Sequence, residues 1–100
     1  MEFIISSKPE KKNDMWHIIG RCSSAVFRGG RFTKCIPYKV SRNDKNEAIT
    51  TYGIEHPIDL VVEKIIAYKN QFDILDPGMT ALLVLSGDAS EVIDQTVLRS

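Results

Sequence analysis

The residues best equipped to hold a ligand are Arg28-Gly29-Gly30-Arg31, flanked by Phe27 and Phe32. Two guanidinium groups present forks of N–H donors that match phosphate or carboxylate oxygens. A glycine pair between them lets backbone N–H groups converge on the same anion, and phenylalanines can stack on unpaired bases. Arg28, Gly29, Gly30 and Arg31 are therefore the candidate anion or RNA contact. The same residues also suit a plain turn, with solvated arginines and phenylalanines in the core. The modest number of bases in the chain favours that plainer assignment.

Other reactive side chains lack the spacing that chemistry needs. His17, Cys22, Cys35 and His56 include every histidine and cysteine, and their intervals match no zinc-ligand pattern. No serine lies in a GxSxG elbow. Asp73, Asp76, Asp88, Glu91 and Asp94 fall where acids ordinarily serve as caps and solvated charges. No GxxxxGK phosphate loop is present. The expectation is a protein that is not an enzyme and holds no cofactor or metal.

Composition narrows the class. With 43% hydrophobic and 26% charged residues, the chain is too apolar for disorder and too mixed for a membrane protein. A length of 100 residues suits one domain, 1–100. No apolar run approaches the roughly 18 residues of a spanning helix. Glu2 stands where a signal peptide would carry a base. A cytoplasmic location is expected, with Cys22 and Cys35 reduced unless their strands are neighbours. Residues 1–42 carry nine bases against three acids, a net +6, and residues 43–100 carry four bases against ten acids, a net −6. The halves either form a basic patch for an anionic partner or interleave so that charges cancel across strand pairs, the favoured arrangement.

The positioning elements read as short strands. Phe3–Ile5 starts one, and Lys8–Asp14 reads as a loop. Met15–Phe27 is strand-like, with Gly20 at a bulge or close approach. Gly29-Gly30 signals a hairpin, and Pro37 marks the following strand, Arg31 to about Val40, as an edge or bulged one. Ser41–Glu47 is the most hydrophilic loop, and a short strand spans Ala48–Ile54. Residues 58, 61, 62, 65 and 66 fit a helical period as well as a strand. Asp76-Pro77-Gly78 is a turn, Met79–Leu85 an apolar strand stopped by Gly87, Asp88–Ile93 one helical turn, and Val97-Leu98 the last strand. Such spacing suggests a small barrel or sandwich.

The order Val62–Tyr68, a polar segment, Pro77-Gly78, Met79–Gly87, Ser90–Ile93 and Val97-Leu98 resembles the second, β-barrel domain of translational GTPases of the elongation factor Tu kind. Ile19-Gly20-Arg21 and Gly29-Gly30 sit about where that family has its Gly-Arg strand and basic turn. The resemblance covers most of the chain as an order of elements and about 35 residues as a motif. It resolves Leu60–Tyr68 as a strand and implies an all-β, closed barrel of about six strands with one short helical turn. Gln95-Thr96 departs from the family's glycine before the last strand, the Ser41–Glu47 loop is longer than usual, and the nucleotide-binding domain is missing. What it implies is a free-standing, non-enzymatic binding module whose partner is RNA or a protein, with no membrane role. The alternative is an accessory subunit that works by protein–protein contact alone, which the near-zero net charge favours.

Overall fold

A computed structural model describes residues 1–100 as eleven strands and no helix. In chain order these are β1 (Glu2–Ile5), β2 (Glu10–Lys12), β3 (Met15–Ser24), β4 (Val26–Phe27), β5 (Arg31–Arg42), β6 (Ala48–Tyr52), β7 (His56–Ala67), β8 (Asn70–Phe72), β9 (Ile74–Leu75), β10 (Thr80–Gly87) and β11 (Thr96–Arg99). Six of them close on themselves through antiparallel pairs: β1–β3, β3–β10, β10–β7, β7–β5, β5–β11 and β11–β1. The all-β, six-stranded ring expected from the sequence is therefore present, and it has the topology of a small barrel.

Alternation along the strands fills the ring. Phe3 and Ile5 of β1, Ile18 and Cys22 of β3, Phe32 of β5, Leu83 and Leu85 of β10 and Leu98 of β11 all join one core cluster of 18 buried residues. Gly20 permits the tightest approach: a Cβ there would lie 2.1 Å from the Ile4 carbonyl oxygen and 2.7 Å from the Phe3 ring.

β7 explains its own ambiguous sequence pattern. Leu85 pairs with Val62 and Val84 with Lys64, so Glu63 is an extra, unpaired residue on that strand. Such a bulge shifts the alternation by one residue. Leu60 and Val62 point inward before it, and Ile65 and Ala67 after it. The interval from Val62 to Ile65 thus imitates a helical spacing inside a strand.

Several local expectations are corrected. Asn13-Asp14 and Tyr68-Lys69, all with positive φ, make the tight two-residue turns of the β2–β3 and β7–β8 hairpins. Part of the Lys8–Asp14 loop is accordingly a strand. Gly29-Gly30 makes no hairpin, because β4 pairs with β9 rather than β5. Gly30 N–H instead bonds the Phe27 carbonyl at 2.9 Å, and Gly29 has φ of +83°, the geometry of a type II turn. The helical turn expected over Asp88–Ile93 is not confirmed: no helix forms there, Val92 N–H reaches the Ala89 carbonyl at 3.0 Å in an isolated i→i+3 turn, and Asp88 accepts from Ser90 N–H at 2.9 Å. Burial of Ala89 and Val92 in the core holds this segment as a single turn, where one bond would not repay helix nucleation.

The bulge makes a measurable distinction between adjacent isoleucines. Ile65→Ala should lower the unfolding free energy in urea by about 2–5 kcal/mol, because Ile65 is fully buried. Ile66→Ala, on the outward side, should cost less than half of that. Equal losses would contradict the bulged strand.

Candidate functional site

The Arg28–Arg31 turn is built by bonds to the second half of the chain. Gly29 N–H donates to the Val62 carbonyl at 2.7 Å, and Val62 N–H donates to the Gly30 carbonyl at 2.8 Å. Together with the Gly30–Phe27 bond, these use both glycine N–H groups that an anion would need. The guanidinium groups are occupied as well. Arg28 Nε lies 3.1 Å from Asp73 Oδ1, and Arg31 Nη1 lies 3.2 Å from Asp59 Oδ1. Glu63 lines the shallow depression beside Arg28 and Gly29. Phe32 is fully buried in the core, while Phe27 is about half exposed. The structure thus brings the four residues together, but in locally balanced charge and with their inner donors already bonded.

The two charged halves interleave. Arg28–Asp73, Arg31–Asp59 and Lys34–Glu55 each join a base of residues 1–42 to an acid of residues 43–100. Cys22 and Cys35 are free, buried thiols on β3 and β5, which stand three strands apart either way around the ring. Burial, and then the charge of Glu91, pushes the Cys35 thiol pKa up. No three His, Cys, Asp or Glu side chains gather closely enough to hold a metal ion, and no helix is long and apolar enough to cross a membrane.

The more distinctive feature lies elsewhere. β5 continues past the ring and pairs with β6 from Tyr38↔Tyr52 to Arg42↔Ala48. From Lys39 to Pro57 every residue is exposed. The result is a two-stranded arm, turned at its tip by Asn43, whose Oδ1 accepts from the N–H groups of Lys45 and Glu47, both at 3.0 Å. Tyr38 to Asn43 extends about 20 Å at about 3.4 Å per residue. That matches the excess of the 44 Å long axis over the 26 and 21 Å axes. Val40, Ile49 and Tyr52 are exposed on it, and Ile54 lies just beyond.

The arm begins at Pro37. Gly53 N–H donates to the Pro37 carbonyl at 2.7 Å, but Pro37 has no N–H to return, and the ladder breaks between β6 and β7 at Gly53–Glu55. A cavity of about 240 Å³ opens at this root, lined in part by Lys39, Tyr52 and Asp94. The barrel braces the root from outside. Arg99 Nε donates to Glu2 Oε2 at 2.7 Å, Ser23 Oγ donates to Glu2 Oε1 at 2.6 Å, and the Arg99 guanidinium sits 6.0 Å from the Tyr52 ring centre. Sequence reasoning missed the arm. The available signal was Ala48–Tyr52, a β-branched run that contains no charge and does not alternate between apolar and polar.

The brace is pH-dependent. The Ser23 hydrogen bond first, opposed by burial and then aided by the hydrogen bond and charge of Arg99 and the charge of the N-terminus, holds the Glu2 carboxyl below its ordinary value. A carboxylate with a lowered folded-state pKa contributes stability above its unfolded value and loses it as pH falls through the folded one. Acidification below the ordinary carboxylate range should therefore release Arg99 and shift the Tyr52 ring resonances. Glu2→Gln should reproduce that shift at pH 7 and remove its pH dependence; ring resonances that titrate identically in both proteins would contradict the brace.

Comparison of the chain with protein-family models, with curated proteins and with solved structures returns no significant match.

Proposed function

We propose that this chain is a non-enzymatic binding module, a barrel similar to the second domain of translational GTPases, that recognises a protein through its β5–β6 arm. One observation carries this reading: β6 is the terminal strand of the sheet path and pairs only with β5. An open strand edge binds an extended segment by main-chain hydrogen bonds, while side chains on the two faces supply specificity. The exposed Val40, Ile49 and Tyr52 supply apolar contact along that edge.

Protein contact is favoured over RNA for a physical reason. RNA phosphates at the Arg28–Arg31 turn would have to compete with Asp59 and Asp73 for the guanidinium groups. Exposed ion pairs are weak, about 0–1 kcal/mol each, so the competition is feasible, but the nearby acids cancel the field that would attract RNA. An accessory subunit working by protein contact fits the same arm.

Two probes separate these roles by NMR at low salt: a uridine 12-mer and the uncharged peptide acetyl-Thr-Val-Thr-Val-Thr-amide. The peptide should shift the Ala48, Thr50 and Tyr52 amides, and Arg28→Ala/Arg31→Ala should leave its affinity within about twofold. The 12-mer should leave the Arg28–Arg31 amides unmoved. Salt-dependent RNA binding that is lost in the double variant, with no effect of the peptide, would overturn the protein-binding reading in favour of RNA.

A further inference from the structure

The open edge of β6 is in register with itself. Gly53 N–H donates to the Pro37 carbonyl, and Asn43 N–H donates to the Glu47 carbonyl. Those two bonds fix the ladder between them, because hydrogen-bonded and non-hydrogen-bonded pairs alternate in an antiparallel ribbon. Ile49 and Thr51 therefore turn their N–H and C=O groups toward β5. Ala48, Thr50 and Tyr52, opposite Arg42, Val40 and Tyr38, turn theirs outward.

We propose that this edge is occupied by the β6 strand of a second copy of the chain, antiparallel and centred on Thr50. The proposal rests on the reading of the arm as the recognition element. In this register Thr50 faces Thr50 of the second copy, and Ala48 faces its Tyr52. Every outward N–H and C=O of the three residues then finds a partner. Moving the two-fold centre to Ile49 or Thr51 leaves one of the three facing a residue outside β6.

Side chains fit the same pairing. On the tyrosine-bearing face, Arg42 and Ala48 of one copy line up with Tyr52 and Tyr38 of the other. Small Ala48 leaves space for Tyr52, and the Arg42 guanidinium, which within one copy donates to the Asn46 carbonyl at 2.9 Å, would exchange that bond to lean across toward the ring, a favourable cation–aromatic contact. On the opposite face Ile49 meets Thr51, two β-branched residues, with Ser41 and Lys39 outside them. No like charges face each other. An unrelated extended peptide would share the main-chain bonds but not this matching of large to small and of cation to ring.

β6 also lacks the devices that keep strand edges apart. Lysine, proline and bulges are the usual protections, and Ala48-Ile49-Thr50-Thr51-Tyr52 contains none of them. A standard interface uses about 20–30 residues per side, more than the arm offers, so the dimer is weak and reversible.

Thr50 lies on the two-fold axis, so a single substitution places the same charge on both sides of it. Sedimentation equilibrium up to about 1 mM, a range that reaches weak complexes, should show a monomer–dimer equilibrium for the unaltered chain. Thr50→Lys and Thr50→Glu should each weaken dimerisation by at least about tenfold through like-charge repulsion. An equimolar mixture of the two should recover it as a heterodimer. Thr50 is exposed, and unchanged Trp16 fluorescence checks that both variants fold. A monomer at 1 mM, variants that dimerise like the parent, or a mixture no better than either variant alone would each overturn the proposal. If the chain stays monomeric while the Thr-Val-Thr-Val-Thr peptide still shifts the arm amides, the arm binds protein but the occupant is not a second copy. If neither occurs, both statements fail.

Discussion

A strand turns the N–H and C=O groups of successive residues to alternate sides, and those groups must find partners. That requirement organises this molecule. Six strands satisfy it by closing into a ring, in which each has a neighbour on both sides and no edge is left. The ring in turn gives the strands an inside and an outside, and the alternation of Phe3, Ile18, Leu83 and Leu98 with outward residues follows from it. Along the outer edge of β6, where the chain leaves the ring, only water meets that requirement. The other end of the sheet path, β8, is a three-residue strand beside β7; the five-residue edge of β6, carried out on the arm, is the feature on which the recognition proposal rests.

Charge has a different role. The basic first half and the acidic second half fold against each other, and Arg28–Asp73, Arg31–Asp59 and Lys34–Glu55 lie along the contact. These exposed pairs add little stability. Their consequence is the loss of any large single-sign field around the glycine turn. The ion pair with a positional role is Glu2–Arg99, which joins β1 to β11 and sets a guanidinium against Tyr52 at the root of the arm.

The sequence makes the fold legible where the physics is local. The apolar run before Gly87, the Asp76-Pro77-Gly78 turn and the Val97-Leu98 strand each carry their own signal, and each is present. Legibility fails where a distant partner decides. Gly29-Gly30 looks like a hairpin, but the bonds that shape its turn come from Val62. Tyr68-Lys69 carries no glycine or asparagine, yet the pairing of β7 with β8 forces both residues to positive φ. Glu63 is an ordinary surface acid until β10 leaves it without a partner. The arm was hidden for a related reason: a ribbon exposed on both faces needs no hydrophobic alternation, so the periodicity that marks buried strands is absent.

Residue-resolved amide hydrogen exchange tests most directly whether the main chain is closed around the ring and open along the arm. Exchange protection follows the opening free energy of each bonded amide. In solution dilute enough to keep β6 edges apart, core-strand amides such as those of Ile18, Leu83 and Leu98 should be protected by several orders of magnitude. The Ala48, Thr50 and Tyr52 amides should exchange at nearly the rate of an unstructured peptide, and more rapidly than those of Ile49 and Thr51 beside them. Equal protection at all five β6 amides, or rapid exchange along the β5–β7 seam at Phe32 and Leu60, would contradict this account.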